Sequence, residues 1–315
     1  MSFSQDVKEE LSRQLPSARH CQIAEVAGMV GLTGRIVISA QDRFSLKIQT
    51  ESLYVARKYF TLLKKTFNIV AEVTIRKNNG LKNSRLYIVT VNRHNDAVRI
   101  LQSIKLLNAS NEIEEDLSIT SNVVIMKSCC KRAFIRGAYL AAGSVSDPNK
   151  AYHFEIVCND YNTAVQLQNI INCFEIESKI VERKNHFVVY IKEGSAIADI
   201  FNVMEAHVAL MEFENIRIIK EMRNSVNRKV NCETANLNKT VSAAMKQIES
   251  IELIRRTKGL DYLPPQLKEI AVIRVENPEV SLKELGDMLE PKVGKSGVNH
   301  RLRKICEIAE SIEEN

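Results

Sequence analysis

The sequence predicts an α+β protein that consists of a duplicated domain with antiparallel sheets, followed by an all-α domain. Two observations predict the duplication. Apolar, glycine-ended helix patterns recur 109 residues apart, and the same order of helices and strand pairs follows each of them. A third observation predicts the change of class, because strand patterns stop after about His207 while helical spacing continues towards the C-terminus.

The first half is predicted from its alternating and helical spacing. A helix over residues 21–32 carries Gly28 and ends at Gly34. Asn78, Asn79 and Gly80 predict a turn between the last two strands. The elements that follow the helix over 21–32 are strands over 35–38 and 44–48, a helix over 52–67, strands over 70–76 and 86–91, and a helix over 95–107.

The second half repeats this order. Gly137 and Gly143 take the places of Gly28 and Gly34 in a helix over 129–143. The following elements are a strand over 152–158, a helix over 160–174, strands over 178–182 and 187–191, and a helix over 195–204. The segment before the helix at 160 lies 108 residues beyond its counterpart, a drift that a duplication with small insertions or deletions would give.

We therefore predict three regions, with boundaries at 1–125, 126–220 and 221–315. Residues 208–259 are predicted to form long polar helices that join near Asn227 to Asn238, because asparagine disfavours helix interiors. The segment 261–265 ends in two prolines and predicts a boundary before the next helix.

Composition limits the class of protein. Hydrophobic residues make up 45% and charged residues 26%, which is typical of a globular protein, and neither a membrane span nor a secretory signal is predicted. The seven cysteines are odd in number and contain no C-x-x-C pair, which argues against a disulfide framework or a zinc site. We expect a cytoplasmic, nucleoid-associated protein without cofactor or metal, and no catalytic nucleophile arrangement stands out.

A helix-turn-helix pattern is predicted at about 280–313. Ser281 and Glu284 form a capping box that begins a short apolar-faced helix. The segment 290–294 contains a proline and a glycine and breaks that helix, and a second amphipathic helix begins near Ser296. Two short helices about such a turn, with a supporting helix in front, are typical of this motif.

The polar face of the second helix favours DNA as its partner. Between Pro291 and Ile305 the sequence holds five basic residues and no acidic one. Lysine and arginine neutralise phosphates, and arginine and asparagine suit purine edges in the major groove of double-stranded DNA. A solvated basic face is the simpler explanation, but the helix-turn-helix context favours DNA. The candidate residues are Lys292, Lys295, Ser296, Asn299, His300, Arg301, Arg303 and Lys304.

A second candidate surface lies between Arg217 and Lys239. Its proposed contacts are Arg228, Asn231 and Asn236. Two interpretations stay open, because the asparagine-rich segment could cap helices at a junction or contact a DNA groove.

The glycine-ended helices resemble those of LAGLIDADG homing endonucleases, in which two such helices pack side by side about a pseudo-twofold axis. The resemblance implies that Gly28, Gly34, Gly137 and Gly143 are helix-packing residues. The family places a metal-binding acid just before the last glycine of each segment, and these positions hold Thr33 and Ala142. Because cleavage with a divalent metal needs oxygen ligands there, the resemblance implies the scaffold and argues against the activity.

Nearly the whole chain resembles the bacterial WhiA family of DNA-binding proteins. Residues 136–143, the Asn227–Asn236 stretch and Leu282 through Arg303 carry the resemblance most specifically. It implies a non-catalytic regulator with roles in cell division, chromosome segregation and, in spore formers, sporulation. Two alternatives are a metal-dependent endonuclease or maturase, and an adaptor that binds another regulatory protein through residues 1–220.

Overall fold

The computed structural model describes residues 2–39, 43–77, 85–108, 110 and 123–313. The chain divides into two compact units, Met1–Lys220 and Glu221–Asn315. Within the described ranges, no helix combines the length and the apolar character that crossing a bilayer requires. The boundary predicted at 125 follows residues 111–122, which lie outside the described ranges, and it stays a prediction.

In the described residues, the first half of the N-terminal unit folds as four helices and a four-stranded antiparallel sheet in the order β1-β2-β4-β3. The turn predicted at Asn78–Gly80 lies outside the described residues. The elements are α1 (Phe3–Arg13), α2 (Arg19–Thr33), β1 (Gly34–Ile38), β2 (Phe44–Thr50), α3 (Leu53–Phe67), β3 (Glu72–Lys77), β4 (Arg85–Val91) and α4 (His94–Ser103).

The second half repeats the topology with the strand order β5-β6-β8-β7, which confirms the duplicated fold. One strand, β5 (Gly143–Val145), was missing from the prediction. Even the register agrees, because Gly34 pairs with Ile48 and Gly143 pairs with Ile156. The elements are α5 (Ser128–Ala142), β5, β6 (Phe154–Cys158), α6 (Tyr161–Asn172), β7 (Lys179–Arg183), β8 (His186–Ile191) and α7 (Gly194–Met204).

Helices α2 and α5 pack closely at Gly28 and Gly137. A Cβ atom at Gly28 would lie 2.4 Å from the carbonyl oxygen of Phe134, and one at Gly137 would lie 2.2 Å from that of Glu25. No side chain fits between the two backbones at these points. The helices therefore approach each other as the glycine pattern predicts.

Gly34 and Gly143 have a different reason to be glycine. A Cβ atom at Gly34 would meet the carbonyl oxygen of Val30 at 2.4 Å, and one at Gly143 would meet the Tyr139 ring at 2.2 Å. These neighbours belong to the last turn of the same helix, so the two glycines let the chain turn from helix into strand. The interpretation of these two as helix–helix contact residues needs that correction.

A buried network of charges ties four helices of the N-terminal unit together. Glu25 on α2 is fully buried, and its Oε1 lies 2.8 Å from Lys58 Nζ on α3 and 3.2 Å from Arg136 Nε on α5. Arg136 also donates to Glu205 Oε2 at 2.6 Å, just past the end of α7. Burial lowers the pKa of Lys58, against the opposing effect of the Glu25 carboxylate.

The C-terminal unit has its own apolar core, in which α9, α10 and α11 pack together with the later turns of α8. Its helices are the part of α8 (His207–Thr257) that follows residue 220, α9 (Pro265–Glu276), α10 (Leu282–Asp287) and α11 (Lys295–Glu313). The break predicted between Asn227 and Asn238 is wrong, because α8 is continuous there. The segment 207–257 contains neither proline nor glycine, and each exposed asparagine costs a helix only several tenths of a kcal/mol.

Candidate nucleic-acid interface

The capping box of α10 forms as predicted. The Ser281 hydroxyl accepts a hydrogen bond from Glu284 N at 3.4 Å, and Ser281 N donates to Glu284 Oε2 at 3.0 Å. Hydrogen bonds from the Ser281 side chain and backbone N–H to the Glu284 carboxyl lower the pKa of that carboxyl, because they favour its charged form. The box fixes where the first helix of the motif begins.

Gly286 sets the close approach between α10 and the turn, and sequence reasoning missed it. Val293 N donates to the carbonyl oxygen of Gly286 at 3.0 Å. A Cβ atom at Gly286 would lie 1.9 Å from the carbonyl oxygen of Val293, so no other residue fits this backbone. A glycine inside a six-residue helix is the signal that could have revealed this contact.

One face of α11 enters the core, and the opposite face holds a polar stripe. Val298, Leu302, Ile305 and Ala309 are buried. Ser296, Asn299, His300 and Arg303 are exposed and follow one another at spacings of three, one and three residues. This spacing places all four on one side of the helix, away from the core. We call these four residues the α11 stripe.

The other predicted residues of this region lie around the stripe. Lys292, Lys295 and Lys304 are exposed, as phosphate-contacting lysines must be. Arg301 is half-buried and, by its spacing, lies beside the core-facing residues rather than on the stripe. The structure therefore separates Arg301 from Arg303, which the sequence had grouped together. Arg303 also forms an exposed ion pair with Glu307 at 3.2 Å.

A groove of about 460 Å³ adjoins the start of α11 in the C-terminal unit. Lys295 and Asn299 line one side, and Lys239 and Thr240 of α8 line another. Lys239 therefore adds a further positive charge near the stripe. This lysine belonged to the second candidate surface in the sequence, so part of that surface adjoins the first.

The remaining residues of the second surface lie on the exposed part of α8. Every residue from 221 to 243 is exposed, including Arg228, Asn231 and Asn236. Arg228 shares a face of α8 both with Asn231, three residues on, and with Asn236, eight residues on, whereas Asn231 and Asn236 are about 140° apart around the helix. A junction that needs capping is absent from this stretch, which weakens the capping interpretation of its asparagines.

The positions of the endonuclease acids lie beside a cleft of about 790 Å³ at the C-terminal ends of α2 and α5. The Thr33 hydroxyl donates to the carbonyl oxygen of Met29 at 3.0 Å. The side chain of Ala142 is a methyl group and has no polar atom. The charged residues that line the cleft are Lys8, Arg35 and Glu51. Burial lowers the pKa of Lys8 to about 8. Among the residues that the structure describes, one carboxylate lines this cleft beside two basic side chains, and this set does not suit a divalent cation.

Three family models match the chain in succession. The model of the WhiA N-terminal LAGLIDADG-like domain matches residues 19–107, that of the WhiA LAGLIDADG-like domain matches 131–223, and that of the WhiA C-terminal helix-turn-helix domain matches 226–309. The chain belongs to the WhiA family. The family models account for both LAGLIDADG-like halves and for the helical domain.

Curated WhiA-family relatives match the chain over its length. A "Probable cell division protein WhiA" of Lachnoclostridium phytofermentans is 54% identical and covers 100% of both chains. One of Thermoanaerobacter pseudethanolicus is 48% identical over 100% of this chain and 99% of its own. The crystal structure of full-length DUF199/WhiA from "Thermatoga maritima" has 26% identity and a TM-score of 0.58, and covers 99% of each chain.

The WhiA helix-turn-helix match extends beyond the motif itself. It begins at residue 226 and therefore includes the exposed part of α8 with Arg228, Asn231 and Asn236. The helix-turn-helix is a DNA-binding motif, whose second helix docks in the major groove. In this WhiA-family chain the second helix of the motif is α11.

Proposed function

We propose that this chain is a non-catalytic regulator that reads DNA sequence with the first half of α11. The observation that carries the proposal is the α11 stripe, which presents Ser296, Asn299, His300 and Arg303 to solvent on the second helix of the motif. Acidic residues begin only at Glu307, so the first half of the helix is basic and polar. This polarity suits a helix whose N-terminal residues enter the groove.

The stripe divides the contacts by chemistry. Arg303 suits bidentate bonds to guanine O6 and N7, and Asn299 suits the N6 and N7 of adenine. Lys292, Lys295 and Lys304 flank these side chains and would neutralise phosphates. Arg228, Asn231 and Asn236 are exposed on α8 and are proposed as additional contacts to the DNA backbone or to base edges.

Replacing Arg303 with alanine is expected to weaken binding to a specific duplex by about 5- to 150-fold, the equivalent of about 1–3 kcal/mol. Fluorescence anisotropy over a range of salt concentrations measures this loss. Arg301→Ala is expected to have a smaller effect, because Arg301 is half-buried beside the core. Arg256→Ala removes an exposed arginine of α8 and serves as the charge-matched control. Unchanged affinity in both the Arg303 and the Arg301 variants would exclude α11 as the recognition helix.

The absence of catalysis is proposed from the positions of Thr33 and Ala142. The Thr33 hydroxyl is engaged by its own helix, and Lys8 and Arg35 line the adjoining cleft. Supercoiled plasmid incubated with the protein and Mg²⁺ is therefore expected to stay intact. Nicking that EDTA abolishes would favour the endonuclease alternative instead.

The biological setting is proposed from the family. The curated relatives carry the name of a probable cell division protein, which supports a role for this chain in the control of cell division. Chromosome segregation, sporulation control and association with the nucleoid are further roles that the family resemblance suggests. Genome-wide occupancy mapping of the wild-type chain and the Arg303→Ala variant tests all of these together, since the binding sites identify the regulated genes.

A second candidate function is the binding of another regulatory protein through residues 1–220. The observation that favours it is an open groove of about 570 Å³ near α6, beside which Met126 and Tyr161 are 71% and 57% exposed. Methionine and tyrosine are enriched at protein interfaces. If this groove binds a partner, the Tyr161→Ala protein is expected to lose a protein that the wild-type protein captures, while its affinity for DNA stays unchanged. Capture of the same proteins by the wild-type and Tyr161→Ala proteins would contradict this second function.

A further inference from the structure

We propose that His20, Cys21, Cys129 and Cys130 form a structural zinc site that joins the N-terminal ends of α2 and α5. Each residue offers one ligand atom, and the four atoms all lie within 4.8 Å of one another. His20 Nδ1 lies 3.2 Å from Cys130 Sγ and 3.3 Å from Cys21 Sγ. The cluster lies at the ends of the helices opposite Thr33 and Ala142.

These separations fit a tetrahedral ion with only a small contraction. Zn–S bonds of about 2.3 Å and Zn–N bonds of about 2.0 Å place ligand atoms about 3.5–3.8 Å apart in a tetrahedron. The shortest nitrogen–sulfur distances in the cluster are near that range already, and the longest are about 1 Å above it. Rotation of the two exposed side chains, His20 and Cys129, can supply the adjustment.

The duplication explains how four ligands meet at one point. Cys21 and Cys130 are 109 residues apart, and so are His20 and Cys129. This is the same separation that relates Gly28 to Gly137, so each half contributes its second and third helical residues. Where two equivalent helices pack side by side, two ligands from each can surround one ion.

The two helix ends present equivalent cysteines. Neither α2 nor α5 has a side chain that caps its first turn, and Cys21 and Cys130 occupy equivalent positions there. Zinc binds cysteine as the thiolate, so the cluster would release protons when it binds the ion.

The ligand set selects the ion. Three thiolates and one imidazole are the soft, closed set that holds Zn²⁺ in structural sites, whereas Mg²⁺ and Ca²⁺ take oxygen ligands. No position is left open for a water or a substrate. The bound ion would therefore act as a cross-link that fixes the helix pair and, through it, both halves.

Metal analysis of the full-length protein purified under reducing conditions tests the site directly. We expect about one zinc ion per chain, and an absorption spectrum with thiolate-to-cobalt bands after exchange with Co²⁺. Cys129→Ser is the variant of choice because Cys129 is exposed, so that its fold is expected to persist. Cys232→Ser is the matched control, since Cys232 is an exposed cysteine on α8 that is not a member of the cluster and belongs to the C-terminal unit.

Zinc content and thermal unfolding together decide the outcome. The wild-type and Cys232→Ser proteins are expected to retain zinc and to unfold at a lower temperature after chelation. Cys129→Ser is expected to lose the zinc and the effect of chelation, with unchanged circular dichroism. Zinc content that is negligible in all three proteins, or equal in Cys129→Ser and Cys232→Ser, would overturn the proposal. A disulfide among Cys21, Cys129 and Cys130 found by mass spectrometry of the reduced-purified protein would also overturn it.

Discussion

Alanine at position 137 is expected to destabilise the N-terminal unit by about 3 kcal/mol, the upper part of the range for overpacked cores. The added Cβ would lie 2.2 Å from the carbonyl oxygen of Glu25, which is backbone and cannot rotate away. Helices α2 and α5 would have to separate, and with them the two halves. Calorimetry is expected to show a transition about 6–12 °C lower than in the wild-type protein.

Gly31→Ala is the matched control for this prediction. Gly31 lies on α2, as Gly28 does. Apart from the nearby backbone of α2 itself, a Cβ atom at Gly31 would have no neighbour within 4 Å among the described residues. Because alanine favours a helix over glycine by about 1 kcal/mol, this variant is expected to be neutral or slightly more stable. Equal unfolding temperatures for Gly137→Ala and the wild-type protein would contradict the close packing of α2 and α5.

Glu25→Gln is expected to destabilise the N-terminal unit by about 3–5 kcal/mol. The variant keeps the shape of the side chain but removes the charge that compensates Lys58, which is 1% exposed. Leaving one member of a buried ion pair without its partner has a cost of this order. Urea unfolding at pH 7 measures the loss.

The pH dependence of Glu25→Gln has a definite sign. The pKa of Lys58 is already lowered by burial, and loss of the carboxylate that raises it would lower it further. The unfolded chain then binds more protons than the folded one, so the stability of the variant is expected to rise between pH 7 and 9 more steeply than that of the wild type. Adding Lys58→Met to Glu25→Gln is expected to restore much of the stability. If the free energy of unfolding of Glu25→Gln alone is within about 1 kcal/mol of the wild-type value, the network does not have the proposed role in stability.

The duplicated fold could be predicted because its signals can be read directly from the order of the residues. Alternation, helical spacing and the 109-residue repeat each show in the sequence, and the structure confirms the two antiparallel sheets. β5 was missed because three residues are too short to alternate. The continuity of α8 was missed because asparagine propensity was given more weight than the absence of any helix breaker from 207 to 257.

The candidate sites were partly predictable for a similar reason. The residues of the α11 stripe follow from the spacing of one helix, although separating Arg301 from Arg303 required knowing which face is buried. The odd number of cysteines and the absence of a C-x-x-C pair argue against a zinc site in the sequence. The candidate ligands His20, Cys21, Cys129 and Cys130 come from two helices, and the 109-residue repeat is the sequence signal that relates them.

Base preference of the wild-type and Arg303→Ala proteins, measured by selection from random duplexes, tests most directly whether the α11 stripe reads sequence. We predict that the wild-type protein selects a defined DNA site and that Arg256→Ala selects the same site. Arg303→Ala is expected to lose discrimination at a guanine position of that site. An identical selected site for all three proteins, or none for the wild type, would contradict it.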